Sequence, residues 1–319
     1  MEQLTLFSSK KISAAGLNHF DILMEDEEYL CQVPQLSLDH IKLLSRKTIS
    51  GLLDTTFQPG FFTVTFTLPL YIPLASNILD WVRITTGCDT IDAILRGGVP
   101  VSRLIEIVGP SGAGKTQLCL QLALMVQLPK ELRGLNKGAV YICTENCFPS
   151  KRIFQLSNAF MAKYTEYKIN FMDNIFIKHV SNYEQLKMCC DIQLPRLLLR
   201  HNIGLIVIDS IAGIFRSEDD HVNYAERSRQ FYKIYRGLVK LTHKYEIALV
   251  NTNQVLENIE TNKLEPCLGL AWSNLLTCRL WISRDIEKIR SLAVMFAPDL
   301  PDAKCNFIIT ESGLSSVRN

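Results

Sequence analysis

The sequence predicts an α/β protein with a largely parallel, doubly wound sheet, a C-terminal antiparallel meander and a small helical N-terminal domain. From residue 82 onward, short β-branched runs alternate with helix-forming runs, an order typical of right-handed crossovers between parallel strands. A glycine-rich stretch, residues 109–116, lies between a predicted strand and a predicted helix. After residue 275, apolar runs follow each other without room for helices, which predicts the meander.

Three segments are expected along the chain. Residues 1–56 carry Leu and Ile at helical spacing and predict a small helical N-terminal domain. Residues 57–80 predict an extended linker, because residues 61–66 are strongly β-prone. Residues 81–319 contain the alternating pattern and predict the main core domain. Its parallel strands are predicted at 104–108, 139–143, 175–180, 205–208 and 247–250, its meander at 277–283, 292–296 and 306–310, and two of its helices at 117–127 and 222–245.

Composition limits the classes of function that the chain can serve. Its 319 residues, 47% of them hydrophobic, can bury a sizeable core and exclude wholesale disorder. A net charge of +2 gives no global sign of nucleic-acid binding, so such binding must come from local surfaces. The ten cysteines form no Cys-x-x-Cys pair or zinc-ligand spacing, which favours free thiols. We expect a soluble intracellular protein without a membrane segment, because residues 1–11 lack a secretory pattern and the uncharged residues 57–79 contain three prolines.

The glycine-rich stretch fits the phosphate-binding pattern of Gly, four residues, then Gly-Lys-Ser/Thr. It reads Gly109-Pro110-Ser111-Gly112-Ala113-Gly114-Lys115-Thr116. Its glycines let backbone N–H groups approach phosphate oxygens, and the helix dipole adds to the anion site. Lys115 would reach the β- and γ-phosphates, and the hydroxyl of Thr116 would ligate Mg²⁺. The alternative is a coincidental flexible turn, but the flanking strand and helix favour a nucleotide-binding loop.

Polar residues end three of the other predicted strands. Asp209 follows a buried strand and could hold a water of the Mg²⁺ shell, although such a residue can also cap a helix. Glu145 lies just beyond another strand, where it could orient or deprotonate an attacking water; the alternative is a solvated loop residue. The amide of Gln254 could sense a γ-phosphate, unless residues 251–254 form an ordinary turn.

These motifs occur in the order found in RecA-type recombinases, which the chain therefore resembles. Residues 83–87, 94–98 and 114–117 are similar to the eukaryotic branch, so the chain resembles a paralogue of the eukaryotic strand-exchange recombinase. The resemblance is strong over residues 82–319 and weaker over 1–80. It implies a RecA-like P-loop ATPase core that binds ATP with Mg²⁺. It also implies a protein that works in the nucleus, or in the cytoplasm as well, and that pairs with a second RecA-like subunit.

The resemblance also implies individual roles. Glu145 matches the catalytic glutamate, Gln254 the γ-phosphate sensor and Arg152 the residue lying over adenine, while Gln117 continues the nucleotide-binding segment. In the linker, Phe61 and Val64 match the motif that inserts a Phe and a small residue into a neighbouring subunit, with Val64 at a position where alanine is usual. The alternative for these two residues is a plain linker or edge strand.

The two segments that would contact DNA are unusually acidic. Residues 216–229 contain three arginines, the candidate DNA contacts Arg216, Arg227 and Arg229, against four carboxylates, for a net charge of −1. Residues 255–266 have a net charge of −2. Because Lys and Arg contacts to phosphates supply most nucleic-acid affinity, we expect only weak binding of single-stranded or branched DNA by the isolated chain.

Two departures from the family pattern argue against a filament of identical subunits. Phe296 stands where the family has an Asp that caps the neighbour's ATP, and Asn274 replaces a histidine that reads the neighbour's γ-phosphate. The predicted function is therefore that of an ATP-binding accessory in homologous-recombination repair. We expect it to join another paralogue and to assist the main recombinase at double-strand breaks and branched junctions, with weak DNA-dependent ATPase activity. The alternatives are an autonomous DNA-dependent ATPase or strand-exchange enzyme, and a structural adaptor whose ATP site does not turn over.

Overall fold

A computed structural model of the chain describes residues 81–215, 224–258, 262–285 and 288–317. The predicted N-terminal domain and linker, with Phe61 and Val64, lie outside the described residues, as does Arg216. None of the helices in the described ranges is long and apolar enough to cross a membrane.

The strands and helices alternate as the sequence predicts. The strands are β1 Arg83–Ile84, β2 Val99–Pro100, β3 Leu104–Val108, β4 Gly138–Cys143, β5 Ile175–His179, β6 Ile203–Asp209, β7 Ala248–Asn253, β8 Val255–Asn258, β9 Lys263–Pro266, β10 Cys278–Arg284, β11 Ile289–Phe296, β12 Lys304–Thr310 and β13 Gly313–Ser316. The helices are α1 Asp89–Ile94, α2 Lys115–Met125, α3 Ser150–Lys163, α4 Tyr183–Met188, α5 Leu194–Leu198, α6 Ile211–Phe215, α7 Tyr224–Tyr245 and α8 Gly269–Ser273.

Nine strands form one sheet in the order β13-β12-β11-β10-β3-β7-β6-β4-β5. The pairs from β10 through β3, β7, β6 and β4 to β5 are parallel, whereas β10 to β13 pair antiparallel. This confirms the predicted α/β class, with a largely parallel sheet and a C-terminal meander. The meander has a fourth strand, β13, that was not expected, because its Gly-Leu-Ser-Ser sequence has little β-propensity and its place comes from backbone pairing with β12.

Two helices show how the core covers both faces of this sheet. Helix α2 buries its apolar residues on every side, which is typical of a helix enclosed by the core. Helix α7 is amphipathic and buries one stripe, comprising Phe231, Ile234, Leu238 and Leu241, at spacings of three and four residues. The helix α2 begins at the carboxyl end of β3, so its N-terminus points into the edge of the sheet where ligands bind in open α/β folds.

Candidate nucleotide-binding site

The loop between β3 and α2 has a backbone that only glycine can supply at two positions. A Cβ on Gly109 would lie 2.0 Å from the carbonyl oxygen of Ile282 on β10. Gly114, the N-cap of α2, has a φ of 117°, in the left-handed region that favours glycine. Gly112 also has a positive φ, of 74°, and nothing lies within 4 Å of where its Cβ would be. The loop is thus tightly packed on the β10 side and open at its middle, as a phosphate cradle requires.

Lys115 lies inside the curve of this loop. Its Nζ donates to the carbonyl oxygens of Gly109, at 2.6 Å, and Pro110, at 2.9 Å. Burial lowers the pKa of the Lys115 ammonium, while the nearby carboxylates of Asp209 and Glu145 oppose this shift. The ammonium is therefore held where a phosphate oxygen could accept from it in place of a loop carbonyl.

Asp209, at the carboxyl end of β6, is fixed by three hydroxyl groups. Its Oδ2 accepts from Thr116 Oγ1 at 2.8 Å and from the Tyr141 hydroxyl at 2.6 Å. Its Oδ1 accepts from Thr252 Oγ1 at 2.6 Å. Burial, aided by nearby Cys119 and Asp209, raises the pKa of Tyr141 well above its ordinary value, so this phenol stays a donor. The structure brings together Thr116 and Asp209, the two residues predicted at the metal.

These oxygens suit Mg²⁺, which in nucleotide sites is held by few protein ligands together with waters and phosphates. No group of three or more His, Cys, Asp or Glu side chains that could hold a metal by themselves occurs in the described parts of the chain. A hydroxyl and a carboxylate beside a phosphate loop therefore form an incomplete site that a nucleotide's phosphates would complete.

Glu145 and Gln254, predicted as catalytic residue and sensor, contact each other. Gln254 Nε2 lies 2.7 Å from Oε1 and 2.6 Å from Oε2 of the Glu145 carboxylate, which is exposed. A glycine that was not predicted as part of the site makes room for this carboxylate. A Cβ on Gly213 of α6 would lie 2.3 Å from Cγ of Glu145 and 2.7 Å from Oγ1 of Thr144. No motif marks Gly213, because the requirement arises from the approach of α6 to the end of β4.

A buried polar network supports Gln254 from below. Glu106 of β3 is fully buried, forms an ion pair with Arg279 of β10, and accepts 2.9 Å hydrogen bonds from Asn253 Nδ2 and Trp272 Nε1. Burial raises the pKa of Glu106, and the Arg279 guanidinium opposes this shift. Because the backbone N–H of Gln254 donates to Asn253 Oδ1 at 2.8 Å, the network fixes the backbone that carries the predicted sensor.

Arg152 is predicted to lie over the adenine base, and Gln117 is predicted to continue the nucleotide-binding segment. The two side chains lie together beside the loop. Arg152 Nε donates to Gln117 Oε1 at 2.7 Å, and its two terminal nitrogens donate to the backbone oxygens of Thr310, at 2.6 Å, and Glu311, at 2.9 Å. The two side chains line an open cleft of about 540 Å³ that is completed by Lys288 and residues 308–311. A cleft lined by two isoleucines and an arginine could accept a flat base.

Comparison with known proteins identifies the family. The family model described as Rad51 matches residues 78–317, most of the chain. The chain belongs to the Rad51 family. It is 38% identical to the DNA repair protein XRCC3 of Bos taurus over 252 residues, covering 73% of this chain and 74% of that protein. It is 36% identical to the DNA repair protein XRCC3 homolog of Arabidopsis thaliana over 288 residues, covering 74% and 93%.

A more distant relative extends the comparison to yeast. The DNA repair protein rhp57 of Schizosaccharomyces pombe is 33% identical over 282 residues, covering 73% of this chain and 79% of that protein. These identities confirm the predicted resemblance to RecA-type recombinase paralogues, in particular XRCC3, to which residues 138–145 and 268–272 are similar. Members of the Rad51 family generally bind ATP with Mg²⁺, and the cradle, the ammonium and the oxygen ligands described above fit that pair.

Two of the three predicted DNA contacts, Arg227 and Arg229, fall at the start of α7. Arg227 donates to the backbone oxygen of Phe215, and its guanidinium lies 5.8 Å from the ring centroid of Phe231. Arg229 is exposed and pairs at 3.2 Å with Glu226, one helical turn away. Arg227 is thus held by its own domain, and the charge of Arg229 is locally balanced.

The second predicted DNA segment contains an antiparallel ribbon of β8 and β9, which was not predicted from the sequence. The ribbon carries Glu257 and Glu265, and its Leu256 and Leu264 are 52% and 47% exposed. It starts directly after Gln254, so its base is attached to the nucleotide site.

Proposed function

We propose that this chain is an ATP-binding recombinase paralogue of homologous-recombination repair, acting at double-strand breaks and branched junctions. It works in the nucleus, within a complex with another RecA-like paralogue, and assists the main strand-exchange recombinase. Membership of the Rad51 family and relatives named as DNA repair proteins support this role. The observation that carries the proposal is the convergence of Lys115, the Thr116–Asp209 pair and the Glu145–Gln254 pair at one edge of the sheet.

Each residue has a distinct part in the proposed chemistry. Bound ATP and Mg²⁺ would supply the phosphoryl group and neutralise its charge. Lys115 and the loop amides hold the phosphates, while Thr116 and Asp209 orient the metal or its water. Glu145 accepts the proton of an attacking water, which requires at least one of its oxygens to leave Gln254. Movement of the Gln254 amide toward a γ-phosphate would free that carboxylate, so the pair can act as a sensor coupled to a base.

The Glu145–Gln254 contact also favours a second candidate, a structural adaptor. Both carboxylate oxygens lie within hydrogen-bond distance of one amide nitrogen, so the base is occupied. If partner binding does not release it, ATP would stabilise the subunit without turnover. Both candidates bind ATP, but only the first hydrolyses it.

The proposed partner contacts involve residues 57–80 and an open sheet edge. Strand β5 pairs with β4 alone among the described strands, and its Ile177 is about half exposed. Such an edge can accept an extended segment from another subunit. In the other direction, Phe61 and Val64 of the linker, which would join a helical domain at residues 1–56 to the core at 81–319, would insert into the partner.

The test uses the chain purified alone and as the complex that co-purifies from cells. Binding of a fluorescent ATP analogue and ATP hydrolysis are measured with and without single-stranded and branched DNA. We expect both samples to bind nucleotide with Mg²⁺, with weak DNA-stimulated turnover in the complex. Nucleotide binding without turnover would support the adaptor, and absence of binding from both folded samples would overturn the proposal.

A further inference from the structure

Arg290 of β11 lies against the phosphate loop. Its Cδ and Nε are 3.3 and 3.4 Å from the position that a Cβ would occupy on Gly114. Gly114 is the N-cap of α2, directly before Lys115. Ile309 of the neighbouring strand β12 reaches the same position, with Cδ1 at 2.9 Å. Arg290 and Ile309 thus pack side by side on the last glycine of the loop.

The Arg290 guanidinium is only partly satisfied. One terminal nitrogen donates to the Lys288 backbone oxygen at 3.0 Å. The Nε atom is buried and has no hydrogen-bond partner among the described residues. Burial lowers the pKa of Arg290, and the nearby cation of Arg284 lowers it further. A buried N–H without an acceptor is unfavourable and uncommon in folded proteins, so this donor requires an explanation.

The other arginine beside the loop provides a contrast. All three nitrogens of the Arg152 guanidinium donate to oxygens of Gln117, Thr310 and Glu311. Arg152 therefore joins α3 to the turn after β12, whereas Arg290 keeps an unused donor. None of the ion pairs found in the described ranges gives Arg290 a carboxylate partner.

We propose that Arg290 is a further nucleotide-binding residue, which donates to a phosphate oxygen of the nucleotide held by residues 109–116. This inference rests on the proposed ATP binding. The group that Arg290 needs is an anion that accepts from a planar guanidinium, a role for which phosphate is well suited. The phosphate chain is the part of a nucleotide that lies at a loop glycine and a helix N-terminus, whereas the cleft proposed for the base lies at Arg152 and Gln117.

The test compares Arg290→Gln with Arg290→Lys in the full chain, or in its complex if the chain does not purify alone. Lys304→Gln is the matched control, because it removes one cation from the exposed part of the neighbouring strand β12. Affinities for ADP and ATP are measured by displacement of a fluorescent ADP analogue, and thermal stabilisation by ADP is compared with that by adenosine. Circular dichroism checks the fold of each variant.

We expect Arg290→Gln to weaken ADP and ATP binding about tenfold, a typical loss for a charge-assisted hydrogen bond. Adenosine binding should be unchanged, Arg290→Lys should keep part of the affinity, and Lys304→Gln should behave as the parent. Undiminished ADP binding by Arg290→Gln would overturn the inference, as would equal losses for ADP and adenosine, which would indicate a packing role. If Arg290→Gln does not fold, the same comparison of ADP and adenosine binding is made with Arg290→Lys, and undiminished ADP binding by that variant would overturn the inference. A folded parent without ADP binding would refute the proposed function as well.

Discussion

Two regions that follow strands of the sheet differ in how their charged side chains are arranged. At the nucleotide site, Lys115 and Arg290 flank the loop, and three hydroxyls fix Asp209. In the segments where DNA would bind, the ribbon of β8 and β9 carries Glu257 and Glu265 against Lys263. Arg227 donates to a backbone oxygen, and Arg229 pairs with Glu226. This contrast supports the proposed role of an ATP-binding subunit that binds DNA only weakly on its own.

The largest expected effect on nucleotide binding and turnover separates two functions within the nucleotide site. Lys115→Ala should weaken ATP binding by about a hundredfold or more, because it removes the cation inside the loop. Glu145→Gln should bind ATP as the parent does and lose any turnover, because this carboxylate acts on water. Equilibrium binding of a fluorescent ATP analogue and single-turnover hydrolysis measure both effects. Equal loss of binding in the two variants would remove Glu145 from the catalytic role.

The largest expected effect on stability comes from the buried network under Gln254. Glu106→Gln leaves the Arg279 guanidinium buried without its carboxylate, and the free energy of unfolding should fall by about 3–5 kcal/mol. Denaturant titration measures this change, with Glu265→Gln on the exposed ribbon as a control for which we expect less than about 0.5 kcal/mol. A loss of similar size in both variants would show that the Glu106 network has no special structural role.

The sequence predicts those site residues whose role follows from their neighbours in the chain, and it does not predict those whose role depends on contacts between distant segments. The loop, Thr116, Asp209, Glu145 and Gln254 follow strand ends, and their residue types alone indicate the chemistry. Packing between distant segments is not visible in the same way. Tyr141 and Thr252 lie within buried strands, where they resemble ordinary core residues until the fold brings their hydroxyls to the Asp209 carboxylate.

The same limit applies to the fold. The alternation of strands and helices predicts the sheet because each run is long enough to show its period. Strand β13 and the β8–β9 ribbon are short, and their residues gain β-structure mainly from pairing with a neighbour. Arg290 gives no sequence signal, because its proposed role depends on the approach of β11 to Gly114. The predicted N-terminal domain and linker stay predictions.

A substitution in the linker should weaken partner binding without changing nucleotide binding. Phe61→Glu places a charge where an apolar anchor is predicted, and the loss of binding to the paralogue should be about 2–4 kcal/mol, typical of a hot spot. Pull-down of the co-expressed partner measures this loss, and ATP binding through Lys115 should be unchanged. Thr63→Glu adds the same charge to the same linker and is the control. A Phe61→Glu variant that captures its partner at full yield would contradict the insertion model.

The smallest expected effect concerns the acidic ribbon. The isolated chain should bind single-stranded DNA weakly, and the plot of log affinity against log salt should be shallow, because few phosphates are neutralised. Glu257→Lys puts a cation on the half-exposed strand β8, so the slope should steepen by about 0.7 for one added phosphate contact on a single strand. Glu131→Lys makes the same charge change in the 3₁₀ turn Lys130–Leu132, beyond the opposite end of α2, and should leave the slope unchanged. Fluorescence anisotropy over a series of salt concentrations measures DNA binding by all three proteins.

If Glu257→Lys and Glu131→Lys steepen the slope equally, DNA binding depends on the overall charge of the protein and the ribbon does not contact DNA. If the parent already shows the steep slope of six or more phosphate contacts, a basic surface elsewhere binds DNA and the contrast between the two regions no longer explains the function of this chain.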